Sequence, residues 1–263
     1  MDLCTATNKK YLSSVFNLIN SYMMNSYNKN IFVYCFDMTP QEVSDLNTAI
    51  KNTKYVDVKF LWVPPIIEYC YHPTLFFYKV YALHHCINQS QGFIYSDATN
   101  AFNRFVDIKE YMISDSLLLP YNQEIMINKY WTTNRCIEKM RCQKARLMPQ
   151  YWAGFQVYLS TQQNRLFLQE MYDYMMDPEI AYPDTSIRKP EGDDSECIEH
   201  RQDQSVLSLL VDKYDRHQKY DLERQLLFGD RQTFRVFSNT YSHDIERCCL
   251  SSRESKFGNF RFL

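Results

Sequence analysis

The carboxylate in the stretch Phe93-Ile94-Tyr95-Ser96-Asp97-Ala98-Thr99-Asn100 is the first candidate for chemistry in this chain. Phe93 to Tyr95 read as a short buried strand, stopped by the small polar cluster that follows. In an open α/β sheet, ligands bind at the carboxyl ends of strands. A carboxylate there can hold a ribose hydroxyl, or a divalent metal on a diphosphate. The same residues also fit an Asx turn, in which Asp97 only ends the strand. Gly154 is a further candidate, because the chain holds only 5 glycines and a glycine lets backbone approach a ligand closely. Arg135, Lys139, Arg141, Lys144 and Arg146 form a basic run, either a solvated helix face or a cradle for phosphates.

The elements that must position these groups alternate. Leu3 to Ala6 read as a first strand, and Leu12, Val15, Phe16, Ile19, Tyr22 and Met23 recur on one helical face. Asn30 to Phe36 read as a second buried strand. Thr39, Pro40 and Glu42 then predict a capping box with proline at the first helical position, and Met38 and Val43 a hydrophobic staple. Val56 to Val63 predict a third strand, stopped by Pro64-Pro65. A helix over 74–87 leads into the Phe93 strand. Strands alternating with helices predict a mostly parallel sheet with helices on both faces. Further on, Phe155 to Leu159 read as a strand entered from Trp152-Ala153-Gly154. Ser160 and Gln163 suggest a capping box for the next helix, which Pro178 stops. Residues 183–199, with the acids Glu191, Asp193, Asp194, Glu196 and Glu199, read as a loop near a site or a plain connector. A helix through Val206, Leu207, Leu210, Val211 and Tyr214 follows, then a strand at Thr233 to Phe237.

Composition narrows the classes. The 263 residues suffice for a sizeable core, and 45% hydrophobic with 23% charged residues is ordinary for a globular chain. A net charge of −2 argues against a general nucleic-acid binder, which needs a basic face. The 9 cysteines are odd in number and show no C-x-x-C spacing, which fits reduced thiols and a cytoplasmic protein. No apolar run approaches the ~18 residues that span a bilayer. Met1-Asp2-Leu3-Cys4 has neither the basic nor the apolar region of a secretory signal.

Four stretches, in order, resemble the nucleotide-sugar-dependent glycosyltransferases of the GT-A fold, in layout the glycogenin and bacterial galactosyltransferase family. They are Thr5-Ala6-Thr7-Asn8-Lys9-Lys10-Tyr11-Leu12, Tyr78-Lys79-Val80-Tyr81, Tyr95-Ser96-Asp97-Ala98-Thr99 and Asp203-Gln204-Ser205-Val206. The resemblance implies a GT-A type α/β fold, Rossmann-like with a smaller mixed acceptor-side region. It implies one domain over 1–263, with a nucleotide-sugar-binding half over 1–104 and an acceptor-side half over 105–263. It assigns Thr5, Ala6, Thr7, Asn8 and Tyr11 to the base and ribose. Lys79, Ser96, Asp97, Ala98, Thr99 and Gly154 fall to the rest of the donor, Asp97 and His243 to a divalent metal (Mn2+ or Mg2+), and Asp203 and Gln204 to catalysis. Thr99 departs from the family's Asp-x-Asp, where the second carboxylate binds the metal. A threonine hydroxyl is a weaker, neutral ligand for a hard cation, so metal dependence is open.

The implied activity is transfer of a hexose or pentose from a UDP-sugar, or a GDP-sugar, to a hydroxyl of a glycan or glycoprotein, with retention. The alternative is a non-catalytic module that binds nucleotide sugars. A nucleotidyltransferase would need an early glycine-rich phosphate loop, and the first glycine here is Gly92.

Overall fold

The computed structural model describes residues 1–27, 30–72, 75–102, 117–118, 126–181 and 196–214. Among them the chain runs β1 (Asp2–Thr7), α1 (Leu12–Asn25), β2 (Ile31–Cys35), α2 (Pro40–Ile50), β3 (Val58–Trp62), α3 (Phe77–Cys86), β4 (Gly92–Ser96) and β5 (Leu117–Leu118). It continues through α4 (Asn128–Trp131), α5 (Asn134–Lys139), β6 (Phe155–Leu159), α6 (Gln162–Met175), α7 (Pro178–Ala181) and α8 (Gln202–Lys213). The predicted strand at Thr233 to Phe237 and most of the 183–199 loop lie outside the described residues.

The strands form one sheet of order β3-β2-β1-β4-β6-β5. β3, β2, β1 and β4 are parallel, β6 is antiparallel to β4, and β5 antiparallel to β6. The chain thus builds outward from β1 to β3, then crosses back over α3 to place β4 on the other side of β1. Strand order reverses between β1 and β4, which opens a crevice at their carboxyl ends. Asn8 follows one of those ends and Asp97 the other.

Alternation along the strands feeds two cores. Leu3, Val33, Ile94 and Val157 pack with Val15 and Ile19 of α1 and Val43 and Leu46 of α2. Cys4, Phe32, Tyr34, Phe93, Tyr95 and Tyr158 face the other way, against Val80 and Leu83 of α3, Phe167 and Met171 of α6, and Val206 and Leu210 of α8. Both faces of the parallel strands are therefore covered, as their near-continuous apolar sequences require.

The α2 start matches its sequence signal. The Thr39 hydroxyl accepts from Glu42 N, and the Glu42 carboxylate accepts from Thr39 N at 2.9 Å. The α6 start differs: Thr161 is the cap, accepting from Asn164 N, rather than Ser160 with Gln163. Ser160 is already committed to the strand end, with its N–H on Gln91 O and its hydroxyl on Ser90 O. The helix expected over 74–87 begins only at Phe77, because Phe76 holds a left-handed φ of 56° that a helix cannot continue through.

Candidate functional site

Lys79 lies one turn into α3 and is held between two carboxylates. Its Nζ is 2.9 Å from Asp203 Oδ2 and 3.2 Å from Asp97 Oδ1. The Lys79 and Asp203 side chains are 5% and 4% exposed, whereas Asp97 is 33% exposed. The cluster is therefore buried at one end and open at the other, with Asp97 at the mouth. Burial works against the ammonium, but Asp203 and Asp97 more than offset it and hold the Lys79 pKa above its ordinary value. Burial raises the Asp203 carboxyl, and Lys79 pulls it only part of the way back.

The backbone around Asp97 is tied down on both sides. Its N–H donates to Gly154 O at 2.9 Å, and Asn100 N donates back to Asp97 O at 3.0 Å. Asn100 Nδ2 bridges Ser96 Oγ and Gly154 O, at 3.1 and 3.0 Å. The buried Tyr95 hydroxyl donates to Asp97 Oδ1 at 3.0 Å. Oδ1 thus receives Tyr95 and Lys79, while Oδ2 has no hydrogen-bond partner among the described residues. Oδ2 instead faces Gly154, at 2.7 Å from the place a Cβ would occupy. A side chain at 154 would close that approach.

The other predicted donor residues divide by exposure. Thr5, Ala6 and Thr7 are buried within β1, and the Thr5 hydroxyl has no partner among the described residues. Their side chains are closed to a ligand, and only the backbone at the tip of β1 is left to meet one. Asn8 and Tyr11 are half-buried at that tip. Asn8 caps a short 3-10 turn, its Oδ1 accepting from Tyr11 N at 3.2 Å, which leaves its amide N–H groups for a ligand. The neighbourhood is joined by Tyr78, which stacks on Phe36 with ring centroids 3.6 Å apart. Burial pushes the Tyr78 phenol up, Lys79 pulls it down, and Asp97, Asp203 and Tyr11 add to the rise. The carboxylates, Lys79 and the β1 tip therefore share one electrostatic environment.

Gln204 neighbours Asp203 at the start of α8. Its Nε2 donates to Gln150 Oε1 at 2.8 Å, and Gln150 Nε2 donates in turn to Trp131 O and Thr132 Oγ1. Gln204 Oε1 has no partner among the described residues. Ala98 is buried and Thr99 half-buried in the turn after β4. His243 lies outside the described residues. Arg135 and Lys139 of the basic run pair with Glu179, and Arg146 with Glu196, so these cations are a surface face already matched by acids. The sequence did not point to Asn100, Tyr95 or Gln150 as supports. The first two stood inside the Asp97 stretch, but Gln150 carried no local signal.

The cluster sums to one cation against two carboxylates, a net charge of −1 if both are ionised. A pyrophosphate cannot settle beside it unless further positive charge comes too. A divalent ion would supply such charge, since such ions commonly take only one or two carboxylates plus phosphate and water, and Asp97 has an oxygen with no partner among the described residues. No group of three or more His, Cys, Asp or Glu side chains gathers among the described residues.

No protein-family model matches the chain, and no curated protein sequence does. Among solved structures it is similar to the WbbM bifunctional glycosyltransferase in its apo form, with a TM-score of 0.49 and 9% identity over 84% of this chain and 37% of that one. It is similar to the galactosyltransferase LgtC in complex with donor and acceptor sugar analogs, with a TM-score of 0.48 and 13% identity over 80% and 70%. It is also similar to mouse xyloside xylosyltransferase 1 in its apo form, with a TM-score of 0.45 and 9% identity over 82% and 83%. The chain spans little more than a third of the WbbM length. All three carry the name glycosyltransferase, galactosyltransferase or xylosyltransferase.

Proposed function

We propose that this chain is a GT-A type glycosyltransferase that moves a sugar from a nucleotide sugar, a UDP-sugar before a GDP-sugar, to a hydroxyl of a glycan or glycoprotein. The observation that carries this reading is the half-open Asp97 carboxylate. It stands at the strand-order reversal, tethered on Oδ1 by Lys79 and Tyr95 and unengaged on Oδ2.

Transfer breaks the bond from the anomeric carbon to the diphosphate, through an oxocarbenium-like transition state. Negative charge grows on the departing diphosphate, and positive charge on the sugar. A bound Mn2+ or Mg2+, held by Asp97 Oδ2 and the Thr99 hydroxyl, would neutralise the diphosphate. Lys79 adds a fixed positive charge behind Asp97, in a low-dielectric setting where it acts strongly. Asp203 holds that ammonium in place, and the Gln204 carbonyl oxygen is the polar group left to face the sugar cation. Asn8 and Tyr11 take the base and ribose at the tip of β1. Retention at the anomeric centre is what the resemblance implies, and the seven described cysteines, all buried and free, support a cytoplasmic location.

The test is nucleoside diphosphate release from UDP-sugars and GDP-sugars, with and without manganese, for the wild type and Asp97→Ala. Sugar-dependent turnover that the substitution lowers by at least ~100-fold, the scale of one lost electrostatic stabiliser, supports the enzyme. Stoichiometric binding without turnover, across a broad donor and acceptor panel, points instead to the non-catalytic module.

A further inference from the structure

Trp152 has no place in the reading above, yet its ring and the open oxygen of Asp97 both approach the same point at Gly154. Its Cε2 and Cζ2 are 2.6 and 2.7 Å from the place a Gly154 Cβ would occupy, and Asp97 Oδ2 is 2.7 Å from the same point. The indole is half-buried and packed against the core beneath α1 and α2, whereas α3, which carries Lys79, packs against the core on the other face of the sheet. Cε2 is the ring carbon bonded to the indole nitrogen, so the N–H lies at the end of the ring near Gly154. That N–H has no partner among the described residues, whereas the Trp62 indole donates to Met38 O at 2.9 Å. A half-buried aromatic face with an unused donor is an amphipathic surface of the kind that holds ligands.

Strand order says which part of a ligand it would meet. Asn8 and Tyr11 stand at the tip of β1, Asp97 at the tip of β4, and Trp152 and Gly154 at the adjoining start of β6. These are successive positions along one sheet edge, about 5 Å apart per strand. A nucleotide sugar laid along that edge, with its base at β1 and its pyrophosphate at β4, carries its sugar toward β6. The absence of a side chain at Gly154 lets the indole and the Asp97 carboxylate close in on the same point, so the two stand side by side at that edge.

We propose that Trp152 is the specificity-determining wall of the donor-sugar subsite. It takes a pyranose by stacking a C–H face of the ring on the indole and donating the indole N–H to a ring hydroxyl. This rests on the glycosyltransferase reading, and the measurements below separate the two. Binding of UDP and UDP-glucose, and of GDP and GDP-mannose, is measured by calorimetry with manganese, for the wild type, Trp152→Phe and Trp152→Ala. The Trp152→Ala variant is expected to bind the free diphosphate within about twofold of wild type and the sugar conjugate about tenfold more weakly. Trp152→Phe keeps an aromatic face without the N–H and falls between them, which guards against a misfolded alanine variant. Equal weakening of diphosphate and conjugate overturns the inference, because Trp152 then only supports the Asp97 turn. Unchanged conjugate binding in both variants overturns it too. A wild type that binds no nucleotide sinks the glycosyltransferase reading beneath it, while a wild type that binds nucleotide with an indifferent Trp152 sinks the inference alone.

Discussion

Replacing Lys79 by methionine tests the electrostatic core of the site. Methionine keeps much of the length and apolar stem of lysine and removes its charge. Asp203 is then left 4% exposed with no cation, while Asp97, at 33%, can fall back on water. Removing one partner of a buried pair costs about 3–5 kcal/mol, and nearly all of it should come from the Asp203 side. The cost is pH-dependent, because burial already raises the Asp203 carboxyl in the presence of Lys79. Without Lys79 that rise acts with less opposition. A carboxyl whose folded pKa is raised contributes proton-linked stability that is fully present below its unfolded value, near 3.9, and is lost as pH rises through the folded value. The variant should therefore regain stability on acidification, by up to about 1.4 kcal/mol per pH unit within that window.

Urea unfolding at pH 7.5 and 5.5 reads both parts of the effect, for wild type, Lys79→Met and Lys79→Met/Asp203→Asn. The single variant should lose about 3–5 kcal/mol at pH 7.5 and less at pH 5.5. The double variant should recover about 2 kcal/mol or more at pH 7.5 and lose the extra pH dependence, since the orphaned charge is gone. A single variant that costs under about 1 kcal/mol, the value of a surface pair, would refute the reasoning. So would a double variant no more stable than the single.

Two further expectations concern the shell around the site. His200 is buried, its Nδ1 accepting from Thr133 N at 3.3 Å and its Nε2 donating to Ile180 O at 2.8 Å, and burial pushes its pKa down to about 4. A histidine lowered on folding contributes stability above its unfolded value near 6.5, lost as pH falls toward about 4. His200→Gln should flatten the stability profile over that range, by about 3 kcal/mol in total, in pH-dependent chemical unfolding. Gly154→Ala places a methyl 2.6 to 2.7 Å from Trp152 ring carbons and Asp97 Oδ2, so it should cost about 1–3 kcal/mol and lower diphosphate release more than Gly92→Ala, where the nearest atom at 2.9 Å is the end of the Leu159 side chain. Thermal melts beside the release assay check both.

The sheet and its flanking helices were legible because their signals are local. Apolar runs mark the buried parallel strands, and Thr39-Pro40-Glu42 states a helix start in three residues. The miss at Ser160 is instructive: two adjacent hydroxyl residues each qualify as a cap, and the choice is made by Gln91 and Ser90, which sit across the sheet edge. The candidate site was legible as residues but not as roles. Lys79, Asp97 and Asp203 each stood out, yet nothing in their spacing says that one ammonium joins all three. Nor does any pattern tell that Thr5 is sealed in the sheet while Asn8, three residues on, is accessible. Those outcomes depend on which helices fold onto which face, which is information from distant parts of the chain.

Backbone strain gives an independent reason to place function here. Four non-glycine residues have positive φ among those described: Asp37, Phe76, Arg141 and Gln202. Phe76, at 56°, immediately precedes the helix that carries Lys79, and Gln202, at 29°, immediately precedes Asp203. Such conformations cost on the order of 1–3 kcal/mol each and persist only where the surroundings over-determine them. Here both flank the same ion pair. The Phe76 ring also lies 4.7 Å from Lys79 Nζ, so the strained residue helps to hold the cation that its own helix delivers. A merely structural buried pair gains nothing from strain at both of its helix starts, since relaxing either backbone would stabilise the fold. Two strained junctions that converge on one lysine, with a half-open carboxylate in front of it, are better explained by a requirement on where that charge must stand than by stability.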